Sequence, residues 1–432
     1  MNNFINMHLF IFPYKKYAFI FLLLHSQTIM AQTWTRKTDF INGPSLSAYA
    51  FTINDTIYVG NTGATGIYKY DFTTDTWSAK ANAPAILYNR TCAIAFAVNG
   101  KGYMIGGINA NGFCMNDVWQ YDPGSDSWVQ KANFPGGKRA SGGSFVIGNK
   151  AYYGGGYDTI DISGFSAVSK NDFWQYDPST DTWTAKANIP YDSSYLLSPF
   201  SFSINGKGYL SCGHRFKYYS SGSYKDTDVS KTFEYDPLAD TWTQKAPFPG
   251  LIRSGGISFV LNNIAYCGTG MNDTSTNNTS TCYNDFYSYS PVFNSWDVVT
   301  PPAFPARTYS IAAIVSAGKA YLGTGWASPS TTIFYQDWWE FKPAINGIVN
   351  EDNSEVRLNC YPNPCNRELT IQIPGNNTSY SYTIYNFVGQ KVLENTLPAN
   401  KSISTATLAT GNFLLVIRGN GKEYRQVFGV LK

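Results

Sequence analysis

Phe96 to Gly107, FAVNGKGYMIGG, alternates apolar positions with polar or small ones on both sides of Asn99-Gly100, and FVIGNKAYYGGG, FSINGKGYLSCG and FVLNNIAYCGTG repeat the design. A period of two predicts half-buried strands rather than helices. Asn-Gly between two such runs, as at Asn99-Gly100 and Asn205-Gly206, predicts a two-residue type I′ turn, because both central residues need positive φ. A second hairpin follows each of these. In VWQYDPGSDSWVQK and FWQYDPSTDTWTAK an aromatic strand leads into Asp-Pro and a second acidic residue, the composition of a tight turn, before a strand that opens at Trp. Two hairpins in succession predict a four-stranded antiparallel unit.

The unit recurs with fixed internal spacing. Tyr70 and Trp77, Tyr121 and Trp128, Tyr176 and Trp183, Tyr235 and Trp242, and Tyr289 and Trp296 are each seven positions apart, and successive Trp residues are separated by 51, 55, 59 and 54 positions. That period suits propeller blades. The ends are complementary. WTRK at Trp34 matches WSAK, WVQK, WTAK and WTQK but has no upstream hairpin, whereas DWWEFKP, Asp337 to Pro343, supplies a third strand and nothing after it. Pairing the strand at Trp34 beside that at Trp339 closes a sixth blade and removes two exposed sheet edges. The expected fold is all-β: a six-bladed propeller over residues 32–343.

Gly-Gly doublets at Gly106-Gly107 and Gly154-Gly155, followed by Tyr, six residues and Trp, resemble the kelch repeat. The resemblance runs from about Thr33 to Pro343 and departs from the family pattern where SCG, GTG and GNT replace the doublet. It implies a β-propeller with one blade per repeat. The recurring Tyr and Trp are expected to wedge between blades rather than to form a cofactor cage.

Both ends of the chain carry different signals. Lys15 and Lys16 precede the apolar run Tyr17 to Leu24, and TIMAQT offers cleavage after Ala31, so residues 1–31 read as a signal peptide. The apolar run is shorter than the roughly 20 residues of a spanning helix, and no transmembrane segment is expected in the mature chain. After KPAINGIVNEDNSEV the repeat stops; residues 344–354 read as a linker and 355–432 as a small β-sandwich, with alternation in LTIQI, YTIYNF and FLLVIRG. Tyr361, Pro362, Asn363 and Pro364, then Gly389 and Gln390, then Gly411 in LATGNF, are similar to the C-terminal sorting domain of cargo for the type IX secretion system of Bacteroidetes. The resemblance implies handling by that machinery, export across the outer membrane, and a cell-surface or secreted protein.

Composition narrows the chemistry. Charged residues make up 14% and aromatics 16%, with 38 Gly, which agrees with a Tyr- and Trp-rich β-protein. Loss of residues 1–31 leaves 30 basic against 29 acidic residues, so no nucleic-acid partner is expected. Of seven Cys, Cys267 with Cys282, Cys92 with Cys114, and Cys360 with Cys365 are candidate pairs in an oxidising compartment, with Cys212 left over. His8 and His25 fall in the presequence, leaving His214 alone, so neither a two-imidazole copper site nor a His-dependent triad with a GxSxG elbow can be assembled. No metal or cofactor is expected.

The remaining signal is an asymmetry of loops. YDTIDISGFSAVSK, HRFKYYSSGSYKDTDVS and MNDTSTNNTSTCY lengthen the connection from second to third strand in blades 3 to 5, on one face, whereas the turns of the other face stay short. Variable loops on a rigid scaffold are a common seat of recognition. Tyr157, Phe165, His214, Arg215, Tyr218 and Tyr219 are therefore candidate ligand contacts, with packing of their own loops as the plain alternative. Arg90, Arg139, Arg253 and Arg307 follow the interblade prolines and are expected near the channel mouth, either to bind a ligand or to bond blade backbones. The reading is a binding module for a glycan or a protein; the alternative is a carbohydrate-active enzyme of the sialic-acid (N-acetylneuraminate) epimerase type, which needs only carboxylates and arginines.

Overall fold

The computed structural model describes residues 32–343 and 358–432, apart from 46–47, 62–65, 160–166, 191–196, 214–215, 219–223, 227–229, 275–278, 292, 316–317, 328–331, 374–379, 387–390, 410 and 420–421. Blade 1 is Ala48–Ile53, Thr56–Asn61, Ile67–Asp71 and Thr76–Ala79, in that order from the axis outward. Blades 2 to 5 repeat this order, with innermost strands Ile94–Val98, Gly143–Ile147, Phe200–Ile204 and Ile257–Leu261. In blade 6 the order is Ile311–Val315, Lys319–Gly323, Trp338–Lys342, and outermost Thr33–Lys37 from the N-terminus. Trp34 lies opposite Phe341 and its ring contacts Phe286, Phe304 and Phe341 at 5.1, 5.5 and 4.5 Å. The type I′ turns have the required backbone: Asn99 and Gly100 have φ of 51° and 71°, Asn205 and Gly206 of 50° and 76°.

The fixed Tyr-to-Trp spacing is a staple between blades. In blade 3 the Tyr176 hydroxyl donates to Asp181 at 2.6 Å, the same carboxylate oxygen accepts the Ala132 N–H at 3.0 Å, and the Trp183 indole N–H donates to the Ala132 carbonyl at 3.1 Å. One residue just beyond the outer strand of blade 2 is thus held at both its backbone groups. Ala187 is held likewise by Asp240 and Trp242, Ala246 by Asn294 and Trp296, and Thr38 by Asp75 and Trp77. Asp75, Asp126, Asp181, Asp240 and Asn294 reach back because each sits in the left-handed region, with φ between 49° and 57°, which Asp and Asn tolerate better than most residues. Lysines of the preceding outer strand complete the joint, Lys80 to Asp126 at 3.1 Å and Lys131 to Asp181 at 3.3 Å. Burial alone would raise these carboxyls, but the Tyr hydroxyl, the backbone amide and, for Asp126 and Asp181, the lysine outweigh it and hold them below the ordinary range.

The C-terminal unit is a sandwich of a three-stranded and a four-stranded sheet. Asn359–Tyr361, Glu368–Gln372 and Ser402–Ser404 face Lys391–Thr396, Ser381–Asn386, Gly411–Gly419 and Lys422–Val430. Leu369, Ile371, Ile384, Leu415, Ile417 and Val430 fill its core. Tyr361 is 53% exposed, and the Asn363 side chain accepts the Gly429 N–H at 2.8 Å, which joins the Tyr-Pro-Asn-Pro loop to the last strand. Gly411 opens the strand that pairs with that last strand, opposite Val430; Gly389 and Gln390 lie outside the described residues. Among the described residues no helix is long and apolar enough to cross a membrane.

Candidate functional site

The residue two positions before each inner strand decides what surrounds the axis. Cys92, Ser141, Ser198, Gly255 and Tyr309, one from each of blades 2 to 6, all have positive φ, from 47° to 63°. This turns each chain inward, and a circle of backbone bonds results: Ser141 N–H donates to Cys92 O at 3.0 Å, Ser198 to Ser141 at 2.7 Å, Gly255 to Ser198 at 3.1 Å and Tyr309 to Gly255 at 2.7 Å. Glycine is required at 255, where an added Cβ would lie 2.5 Å from Thr308 Oγ1. Around the ring opens a cavity of about 240 Å³.

The cavity lies at the ends where inner strands begin and second strands finish, so it opens on the face of the lengthened connections. Those connections form ribbons: Tyr157–Thr159 with Ala167–Ser169 in blade 3, Phe216–Tyr218 with Tyr224–Asp226 in blade 4, Met271–Thr274 with Thr279–Cys282 in blade 5, and Trp326–Ala327 with Ile333–Phe334 in blade 6. Each ribbon of blades 3, 5 and 6 starts at the mouth, because Tyr157 pairs with Ala140, Met271 with Ser254 and Trp326 with Thr308. Tyr309 and Trp326 then lie nearly parallel, 7° apart with centroids at 6.5 Å. The described lining is made of hydroxyls, small residues and apolar groups, with Ser141, Ser144, Ser198, Ser201, Ser258 and Ser310 supplying most of the polarity. It contains no Lys, Arg, His, Asp or Glu.

The four arginines expected at this mouth are inside the blades instead, at 0 to 1% exposure. Arg139 bonds the Gly155 carbonyl at 3.1 Å and forks onto Asp172 at 2.6 and 3.2 Å; Arg307 bonds Thr324 O at 3.0 Å and forks onto Asp337. Arg253 with Asp285 and Arg90 with Asp117 repeat the pattern. Trp119, Trp174 and Trp339 each donate an indole N–H to the paired carboxylate at 2.8 Å. Every guanidinium is paired and out of solvent, and these residues clamp the second strand's end to the third strand's start, which is the bonding role expected as the alternative to ligand contact. Burial pushes the Asp337 carboxyl up, and Arg307 more than reverses it, leaving it below the ordinary value.

Of the loop candidates, Tyr157 is half-buried at the foot of its ribbon, where burial pushes its hydroxyl up. Tyr218 ends a ribbon strand opposite Tyr224. Phe165, His214, Arg215 and Tyr219 lie outside the described residues. The aromatic residue of the mouth that sequence reasoning missed is Tyr309; the signal available was its position two residues after an interblade arginine, shared with Cys92, Ser141 and Gly255. The expected cysteine pairing also changes. Cys267 is fully buried beside Cys212, in one cluster between blades 4 and 5, rather than beside Cys282, and burial with the nearby Cys212 pushes its thiol up. Cys360 and Cys365 are thiols; Cys365 donates to the Gly429 carbonyl at 3.3 Å, and burial raises Cys360 to about 11. Cys92 remains near Cys114 at the mouth, its thiol raised by burial. Among the described residues no cluster of three or more His, Cys, Asp and Glu suits a metal ion.

Comparison with known proteins agrees with this architecture. A family model described as Attractin/LZTR1 beta-propeller matches residues 57–330, and one described as secretion system C-terminal sorting domain matches 359–428. Kelch-like protein terF of Aspergillus terreus is 25% identical over 276 residues, which is 60% of this chain and 54% of that protein. Kelch-like protein 23 of Homo sapiens is 26% identical over 256 residues, 56% of this chain and 39% of that protein. The chain thus spans about half, or less, of the length of these relatives. N-acetylneuraminate epimerase of Escherichia coli is 28% identical over 172 residues, 32% of this chain and 46% of the enzyme. The solved structure of YjhT shares the fold, with a TM-score of 0.56 at 20% identity over 70% of this chain and 96% of that one. The chain belongs to the Attractin/LZTR1 β-propeller family of kelch-type propellers and carries a secretion-system C-terminal sorting domain.

Proposed function

We propose that this protein is an exported binding module: residues 1–31 direct it out of the cytoplasm, residues 355–432 hand it to the type IX machinery, and the propeller of residues 32–343 recognises a glycan or a protein at the cell surface or outside the cell. The linker of residues 344–354 tethers the two units. One observation carries the recognition half. The axial cavity lies at the ends of the inner strands that face the ribbons of blades 3 to 6, on the variable face, while the opposite face has tight turns such as Asn99-Gly100. Tyr218 lies in the blade 4 ribbon of that face. A glycan array and a pull-down with the full chain test it: saturable capture should be lost on replacing the blade 3 and blade 5 ribbons by short turns, and should survive changes at Asn205 and Gly206. Capture that depends on the turns instead would reverse the faces.

The partial similarity to N-acetylneuraminate epimerase keeps a second reading in view, a sugar-transforming enzyme. Acid-base work on a sugar ring needs titratable groups within reach of the reacting carbon. The described lining of the cavity carries none in the carboxylate, imidazole or guanidinium class, which favours binding over turnover. Incubation with N-acetylneuraminate followed by NMR of the anomers decides: catalysed interconversion would overturn the binding-only reading.

A further inference from the structure

The Tyr-Pro-Asn-Pro segment of the C-terminal sandwich is not spent on the core. Tyr361 is 53% exposed and Pro362 and Asn363 are exposed with it, whereas Leu358 before them and Cys365 after them are buried. What the segment does is close one end of a sheet edge. Lys422–Val430 is the outermost strand of the four-stranded sheet, paired on one side with Gly411–Gly419 in an unshifted register from Gly411 opposite Val430 to Gly419 opposite Lys422. On its other side Gly429 donates its N–H to Asn363 Oδ1 and accepts the Cys365 N–H, and Leu431 N–H donates to Cys365 O, each at 2.8 Å. The chain thus lays a short parallel strand on its own edge, with Cys365 beside Val430. In an antiparallel ladder alternate residues turn both backbone groups the same way. Because Gly429 turns outward, Val427, Arg425 and Glu423 turn outward too, and among the described residues no strand pairs with them on that side.

We propose that this edge is where the type IX machinery takes hold of the domain, one of its components adding an extended strand alongside Glu423, Arg425 and Val427. This deepens the sorting role and rests on it. Three observations favour that occupant. The edge already accepts a strand, Asn363 to Cys365, and that strand stops short, leaving the outward groups of three further residues in line with it. The span matched by the sorting-domain family model, residues 359–428, opens on the strand that leads into the Tyr-Pro-Asn-Pro segment and closes within the edge strand, so the two elements that meet here bound the match. Tyr361 and Leu431, 53% and 41% exposed, stand at the closed end and offer apolar surface for the guest to cover. Strand addition of this kind draws its affinity from main-chain bonds, which a long unpaired edge supplies.

The test uses the full chain in a host with type IX secretion, measuring the amount outside the cell by fractionation and the folding of each purified variant by its melting temperature. Proline lacks an N–H and is tolerated on an edge where that N–H faces away from the sheet. Arg425→Pro therefore removes one outward donor and spares the ladder to the strand of Val416. Export should fall several-fold, the scale of one hydrogen bond lost from an interface, whereas Arg425→Ala, which keeps the N–H, should be exported like the wild type. Glu423→Pro gives the same result at a second outward position and serves if Arg425→Pro melts early. Tyr361→Ser, at an exposed site, should lower export with unchanged melting. Normal export of either folded proline variant overturns the assignment, and so does a loss in Arg425→Ala equal to that in Arg425→Pro, because the side chain would then be what is read. A dimer of the full chain that Arg425→Pro dissolves overturns it too, since the edge would belong to a second copy. The chain lacking residues 355–432 separates this inference from the broader one: if it is exported normally the sorting role itself fails, whereas its retention beside normal export of the proline variants removes only the edge.

Discussion

Removing one partner of the Arg307–Asp337 clamp should damage the propeller far more than removing both. Arg307 is 1% exposed and Asp337 6%, and the carboxylate also accepts the Trp339 indole N–H. In Asp337→Ala the guanidinium loses both forked bonds in a site water cannot reach, leaving an uncompensated buried charge. Such losses cost about 3–5 kcal/mol. At about 2.1 cal/mol/K of unfolding entropy per residue, a propeller of residues 32–343 shifts by about 1.5 °C per kcal/mol, so its transition should fall by roughly 5–8 °C. The companion Arg307→Met with Asp337→Leu removes the charge problem, so a double-mutant cycle should show the two singles overlapping by about 2 kcal/mol or more. The surface pair Lys207 and Asp236, each about a third exposed, is the comparison; Lys207→Ala should cost no more than about 1 kcal/mol. Differential scanning calorimetry of the full chain reads Asp337→Ala, Arg307→Met, Asp337→Leu, the double of these last two and Lys207→Ala. Singles that shift the transition by less than about 2 °C, or that add up within about 0.5 kcal/mol, would refute the clamp.

Three further outcomes follow from other parts of the fold. Deletion of Gln32 to Lys37 should lower the melting temperature of the whole propeller, because it strips the outer strand from blade 6 and exposes Phe304 and Phe341 where Trp34 packs; melting at the wild-type temperature would contradict the closure. Asp75, Asp126, Asp181, Asp240, Asp337 and Glu340 are all held below their ordinary values, so their stabilisation is present above about pH 4, the unfolded value, and is lost as pH falls through the folded ones. Melting should therefore be steady from neutral pH down to about 5 and drop steeply below about 4, and Asp126→Asn, the solution blade 5 uses at Asn294, should keep the staple while lessening that drop. Deletion of Glu355 to Lys432 should leave a folded propeller in the periplasm, and its appearance outside the cell at normal levels, by fractionation, would contradict a sorting role.

The sequence states most plainly whatever is repeated. Strand alternation, Asn-Gly turns and the seven-residue Tyr-to-Trp step are local and recur, so blades could be read from them; that the step is a three-residue staple gripping one backbone position of the neighbouring blade could not, because that target lies some 50 positions upstream. The two roles open to the arginines could not be told apart in the sequence for a related reason. Arg90, Arg139, Arg253 and Arg307 meet their carboxylates 27, 33, 32 and 30 residues later, across connections of different length. A covariation inside the chain does carry the message: blades with the arginine also carry Asp117, Asp172, Asp285 or Asp337 ahead of the third strand, whereas blade 4 has Lys231 there and no arginine, and blade 1 has Gly66 and no arginine.

The mouth was illegible for the opposite reason, and the cause is physical. Its shape is fixed by backbone: the left-handed residues Cys92, Ser141, Ser198, Gly255 and Tyr309 hold one another through N–H and carbonyl groups, which every residue type possesses. The backbone ring itself enforces no repeated letter, and five blades present a thiol, two hydroxyls, no side chain and a phenol. The same holds for the ribbon feet, where Tyr157, Met271 and Trp326 occupy comparable positions with unrelated chemistry. Conformity at the staples and clamps, and freedom at the ring, divide the propeller into a part that must repeat to close and a part that is able to differ. On the proposed reading a ligand is recognised by the second part, and the departures from the repeat are then where its chemistry is written.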